Sequence, residues 1–574
     1  MPDAPTTVDS SAERRPTPIH DRLDRANRRQ AVAQAQQAWQ SQRAAAASAG
    51  VARGTLRHWN TPAETSLAAP AGLAVFCETP EGVEWLRRVQ MAAHWSISEQ
   101  GGAGVRVVCQ FLERSGLSAF IAASYGTQQA FQAELERQIV SEASDLSETL
   151  AKTMPHRTLS VAEDETWQDG MRLVAIEPVS NFILLEQASA ARSAAAWSQA
   201  LKCGLAGFKV TVVQGISDEA KGLLAHVERD QGAHHSTDLF HLQHEVSKAM
   251  SLALGRAEQR AETDETMAKA HWQAHCAAEQ TYHRQHHGPG RPPALAVRID
   301  RALEAYVQAS LARERAQAQR AESKALIGAF SAVDHPYELE QGQAQTPAQL
   351  QTNLAGLFAR LEALAEEVDL SERLCAHLAK AKRLTNSLVA TLAFFFMTVN
   401  TRVQALDLAP AIEQAMLNDL IPALYLERAA ARSSRAEQRH RLLALSAERL
   451  APLQQPAHPI QSLDEETRRY LEQVAGDCAD LFQRSSSCVE GRNGVLALYQ
   501  HGHHRLSPRK QQVLTALHNF SIRRPDGTTA AERFFAQPHP SLFEQVLERM
   551  PWPARPARRR PRPAKPPHLT LVAA

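Results

Sequence analysis

A chain of 574 residues is too long for a single small binding module, since domains cluster at roughly 100–200 residues. Its 44% hydrophobic and 22% charged content is close to that of ordinary globular chains and excludes a wholly disordered or fibrous protein. Sixty-three Lys and Arg against 62 Asp and Glu leave a net charge of +1, so any nucleic-acid partner has to be met by local patches of charge, not by a global excess.

Residues 1–20 are polar and proline-bearing, with no apolar core for a signal peptide, and are expected to be disordered. Residues 21–78 are rich in helix formers. Gly50 separates two short helical runs, Ala45 and Ala46 allow close packing, and Val51 and Leu56 fall on one face while Arg53, Arg57 and His58 fall elsewhere. That spacing suits a helix-turn-helix whose second helix, about 52–59, enters a major groove; plain packing of an alanine-rich hairpin has the same pattern. Residues 79–156 place Val83, Leu86, Val89, Val107, Phe111, Leu117 and Phe120 at helical spacing, which predicts a helical linker or DNA-binding region with a second hairpin around 115–126.

The texture changes at Arg157. Runs at 157–166, 171–179 and 181–187 read as strands, 193–204 as a helix, 209–217 as an apolar β-branched strand and 219–229 as a further helix. Residues 157–245 thus form the first part of an α/β core, and 246–470 show only helical periodicity, as an all-helical insertion. The most apolar stretch, Leu388 to Val399, is twelve residues, short of the ~20 needed to span a bilayer, and predicts a buried helix in a cytosolic protein. Residues 471–548 are helical at both ends with a polar, glycine-containing centre and complete the core. The segment 549–574 carries Arg549, Arg555, Arg558, Arg559, Arg560, Arg562 and Lys565 among prolines without one acid, as expected of a basic disordered tail. Seven cysteines without a Cys-x-x-Cys pair argue against a disulfide scaffold and a zinc ribbon.

Three acids stand out by position. Asp164 ends the first strand between Glu163 and Glu165, and adjacent carboxylates repel unless a cation or solvent relieves them. Asp218 lies where the apolar strand ends, and ligands of open α/β sheets gather beyond the carboxyl ends of strands. Glu490 is an isolated acid in SSSCVEGRNG. A helix cap at Asp218 and a surface acid at Glu490 are the plain alternatives.

The segments TLSVAEDETW, VTVVQGISDEAKGLL, GAHHSTDLFHLQHE and CVEGRNG, in this order, resemble the DDE transposases of bacterial insertion sequences. Asp238 to His241 is similar to the Asp-x-Phe-His segment of several such families, and Glu490 to Asn493 to the segment around their last acid. The resemblance covers about 159–245 and 485–535. It implies a multidomain, mostly α protein with an α/β RNase H-like core, an N-terminal helix-turn-helix and a large all-helical insertion. It further implies that Asp164, Asp218 and Glu490 are catalytic and hold two Mg²⁺ ions, replaceable by Mn²⁺, with Glu165 and Asp238 as alternates.

Such an enzyme cuts DNA at element ends carrying terminal inverted repeats and joins them to target DNA. Double-stranded DNA is then the partner, a homodimer or larger assembly on DNA is expected, no membrane is involved, and the location is cytoplasmic on the nucleoid. Arg53, Arg57, His58, Arg492, Asn493, Arg505, Arg509 and Lys510 are the expected DNA contacts, with His241 auxiliary to the carboxylates. Two other classes stay open: a catalytically inactive transposase-derived DNA-binding regulator, and a helical scaffold protein.

Overall fold

A computed structural model describes residues 71–556 apart from 168, 169, 287, 289, 504 and 505, together with 41, 43, 44 and 47. Arg53, Arg57, His58 and Arg505 therefore lie outside the described residues, as do the expected helix-turn-helix and residues 557–574 of the expected tail. The chain divides into two units, residues 156–493 and the segments before and after them. Among the described residues helix dominates, with one mixed five-stranded sheet.

Among its described residues the first segment carries α1 (Ala71–Phe76), α2 (Pro80–Ala93), α3 (Val105–Arg114) and α4 (Tyr125–Thr153). Thr79 accepts the Gly82 N–H at 3.0 Å just ahead of Pro80 at the first helical position, which satisfies an otherwise orphaned donor and presets the helical φ. The stretch 115–126 forms a short 3-10 turn, Leu117–Ala119, and its Leu117, Phe120 and Ile121 are buried with Leu86, Val108 and Leu112. This turn joins α3 to α4, and its apolar residues close the local core.

The sheet begins at β1 (Arg157–Trp167), followed by β2 (Met171–Glu177), β3 (Phe182–Ala188), helix α5 (Ala194–Gly204), β4 (Val210–Ser217) and β5 (His234–Thr237). Gly170, at φ 127°, sits in the first hairpin turn, and Asn181, at φ 64°, in the second, a left-handed conformation that asparagine tolerates better than most residues. The strand order is β3-β2-β1-β4-β5, with β1-β2 and β2-β3 antiparallel and β1-β4 and β4-β5 parallel. The α5 crossover is what allows β4 to lie parallel to β1. The first four strands fall where the sequence predicts them. The fifth, HHST, has no apolar residue to announce it, and main-chain pairing to β4 makes it a strand.

Helices α6 (Leu239–Arg284), α7 (Leu295–Val333), α8 (Pro347–Glu367), α9 (Glu372–Gln404), α10 (Ile421–Arg432), α11 (Ala436–Leu450) and α12 (Glu465–Ala479) follow. The expected boundary at 245/246 does not exist: α6 runs unbroken from the end of β5, capped by Asp238. Buried residues from Leu239 to Phe482 form one continuous core, so the helical region packs as part of the 156–493 unit. Among the described residues, α9 is the one helix long and apolar enough to cross a membrane. Its Leu378, Ala381, Leu384, Leu388, Leu392, Phe395 and Val399 recur every three or four residues and pack into this core, as an amphipathic core helix does.

The division at 493 falls within helix α13 (Ser487–His503), and α14 (Pro508–Phe520), α15 (Ala530–Phe535) and α16 (Leu542–Arg549) belong with α1–α4. Residues 471–548 are thus divided at 493, and 79–156 form the larger part of a helical unit, not a linker. The start of the expected tail is packed there too. Arg549 pairs with Glu142 at 2.6 Å, Arg555 pairs with Glu78, and the Arg87 guanidinium lies 4.4 Å from the Trp552 ring centre.

Candidate active site

Strand register brings the acids together. Ala162 of β1 is level with Ile216 of β4, and Ile216 is level with Ser236 of β5. Two residues further along each strand stand Asp164, Asp218 and Asp238: Asp218 and Asp238 directly follow β4 and β5, and Asp164 lies just past the β4-paired stretch of β1, on neighbouring strands roughly 4.8 Å apart. Strand alternation sends Ala162 and Asp164 to the same face. Val489 of α13 packs on that face against Ala162, Val174, Ile176 and Ile183.

The segment before α13 is tied to the same strand ends. Gln214 of β4 accepts from Ser160 at 2.6 Å and donates to the Gln483 carbonyl at 3.0 Å. Leu239 N–H donates to the Arg484 carbonyl at 2.9 Å, and the Ser486 hydroxyl donates to Asp238. These bonds deliver Glu490, far off in sequence, to the first turn of a helix starting beside the sheet. Asn493, one turn on from Glu490 and on the same helix face, donates from Nδ2 to Asp164 Oδ2 at 3.0 Å. Gly491 does not interrupt that helix.

Asp164 also accepts the Glu165 N–H at 2.8 Å. Burial pushes its carboxyl up to about 7, and the neighbouring charges of Glu490, Asp218 and Asp238 push the same way against that N–H. Asp218 is half-buried and accepts the Ala220 N–H at 3.1 Å, while Glu490 is exposed. An all-oxygen carboxylate set with accumulated negative charge matches the preference of Mg²⁺ or Mn²⁺. As they stand, no three His, Cys, Asp or Glu side chains among the described residues converge tightly enough to hold one ion.

The two alternates are corrected. Glu165 projects from the opposite face of β1, where it accepts from Trp197 Nε1 at 3.2 Å and faces Arg192 at 3.7 Å. Glu163 shares that face, fully buried, with His226 Nε2 3.4 Å away. Asp238 is buried and uses one oxygen on the Phe240 N–H at 2.8 Å and the other on Ser486, so it serves as the α6 cap. An aspartate immediately before a long helical run is a cap signature, so this role was open to sequence reasoning. His241 lies in the first turn of α6, edge-on to the exposed Phe240 ring with centres 5.9 Å apart.

The expected DNA contacts separate into groups. Arg492 is buried and holds Glu186 of β3 through two bonds of 2.7 Å, a bidentate pair that removes its guanidinium from any phosphate. Asn493 serves the acid cluster. Lys510, in the other unit, is bound to the buried Glu99 and lies 3.6 Å from Glu136, so it too is withdrawn from solvent. Arg509 is exposed.

A family of unknown function (DUF6399) matches residues 416–562, which include Glu490, Arg492 and Asn493 but neither Asp164 nor Asp218. No curated protein and no solved structure matches the chain.

Proposed function

We propose that this chain is a metal-dependent polynucleotidyl transferase of the DDE transposase kind, acting on DNA with Asp164, Asp218 and Glu490 on an RNase H-like core. The observation that carries the reading is the level placement of Asp164 and Asp218 just beyond the paired stretch of the adjacent parallel strands β1 and β4, joined to the Glu490 helix through Asn493. A meander of three antiparallel strands, a crossover helix and two strands parallel to the first supports the RNase H-like assignment.

Mg²⁺ or Mn²⁺ at these carboxylates would activate the attacking oxygen and neutralise the leaving one in an in-line displacement at phosphorus. The chain's own residues supply the rest. Asn493 and the Glu165 N–H each hold one Asp164 oxygen and so set the plane of the carboxylate. Asp218 is held by the Ala220 N–H. The scheme needs no covalent nucleophile. An N-terminal helix reading inverted repeats, and a dimer or larger assembly pairing the element ends, belong to the same proposal.

The test is nicking and strand transfer by the full chain on a duplex carrying the inverted repeats that flank its gene. Activity is expected with Mg²⁺ or Mn²⁺ and lost in Asp164→Asn and Glu490→Gln. Cleavage that survives both substitutions overturns the reading. The alternative is a DNA-binding regulator without catalysis. It requires tight, salt-sensitive DNA binding with no nicking in either metal.

A further inference from the structure

We propose that the helical part of the 156–493 unit carries a second ligand site, separate from the strand-end acids, for a small amphipathic monocarboxylate. A cleft of about 520 Å³ opens among α10, α11, α12 and the 3-10 turns Pro452–Gln454 and Pro459–Ser462. That volume falls within the roughly 300–1,000 Å³ of small-molecule sites. Leu420, Leu424, Leu453 and Ile460 line it, and three of them are residues of the main core. The floor is therefore rigid and aliphatic.

Charge on the walls selects the head group. Three arginines line the cleft, and protein carboxylates hold two of them: Arg428 Nε donates to Asp480 Oδ1 at 3.0 Å, and Arg469 pairs with Glu465. Arg468 differs. Its Nη1 donates only to the neutral amide oxygen of Gln461 at 3.0 Å, and Gln461 is itself fixed by donating to the Leu453 carbonyl at 2.6 Å. The Arg468 Nε is closed off from the cleft by protein atoms, so a ligand can meet this guanidinium only at its outer nitrogens, of which no protein carboxylate holds either. An outer guanidinium N–H that no protein acid holds takes a carboxylate best.

Glu465 and Glu472 also line the cleft. Their charge opposes a doubly ionised phosphate and leaves a singly charged carboxylate as the fitting anion. The ligand's apolar body lies on the leucine and isoleucine floor, and its carboxylate accepts from Arg468.

The full chain is titrated with 1-anilinonaphthalene-8-sulfonate, a monoanion with an aromatic body, using decanoate and decanol as competitors. Saturable one-site fluorescence is expected, displaced by decanoate and at least about tenfold less well by decanol, which lacks the charge. Arg468→Met weakens both anions by about tenfold or more, whereas Asp164→Asn changes neither. Absence of saturable binding, or an unchanged affinity in a cooperatively melting Arg468→Met protein, overturns the proposal. Should Arg468→Met not fold, Leu424→Trp places an indole in the floor. Decanoate must then shift its emission saturably, and no shift overturns the site equally.

Discussion

Two carboxylate clusters on the same unit differ in what neutralises them. Glu245, on the second turn of α6, is nearly buried, yet its pKa lies at about 2. Burial alone would raise it, and hydrogen bonds from His377 at 2.6 Å and Lys380 at 3.1 Å, with Lys248 at 3.4 Å, reverse that effect. Asp164, at the strand ends, is pushed up to about 7 by burial and by other acids. The fold supplies Glu245 with its own cations and surrounds Asp164 with like charge. An acid neutralised within the protein holds helices together. One left in repulsion is suited to a cation from solution.

The largest expected contrast is catalytic. Asp164→Asn, Asp218→Asn or Glu490→Gln should lower metal-dependent strand cleavage by on the order of a thousandfold or more. Glu245→Gln should leave it within a few-fold, since its partners lie on α6 and α9. Single-turnover nicking rates at saturating Mg²⁺ measure both, and equal losses would erase the distinction.

Arg492→Ala tests the boundary between the acid cluster and its support. It leaves the buried Glu186 carboxylate without its bidentate partner and should cost about 3–5 kcal/mol of stability, read by urea unfolding. A fall in DNA affinity at unchanged stability would restore the phosphate-contacting role read from the sequence. Glu245→Gln should cost less, about 1–3 kcal/mol, because the amide still accepts from Lys380 or His377.

The smallest effects are opposite pH slopes. Glu245 has a lowered native pKa, so its stabilisation is present above the unfolded value near 4.5 and lost as pH falls towards about 2. Asp164 has a raised native pKa, so its protonated form favours the fold at low pH, and the metal-free protein loses stability as pH rises from near 4 through about 7. Melting curves of Glu245→Gln should flatten only the acid limb, and those of Asp164→Asn only the neutral one. Parallel changes in both limbs would show that the clusters are not independent.

Much of the sheet was legible locally. β1 to β4 are apolar, β-branched runs bounded by Gly170 and Asn181, and α5 follows a Ser193 cap, all of which are short-range signals. Three consecutive acids look alike in one dimension, so the sequence leaves Glu165 as an alternate to Asp164. Strand alternation places the middle one on one face and its two neighbours on the other, and only α13 packed on one side and Trp197 on the other tells which face is which.

Residue type and order alone settled the strand-then-helix layout, because it follows from local propensity and composition. Tertiary packing decided that Arg492 and Lys510 are internal ion pairs, that Asp238 caps a helix and that Asn493 reaches Asp164. Those roles depend on which partner lies across space, and long-range pairing leaves no periodic trace along the chain.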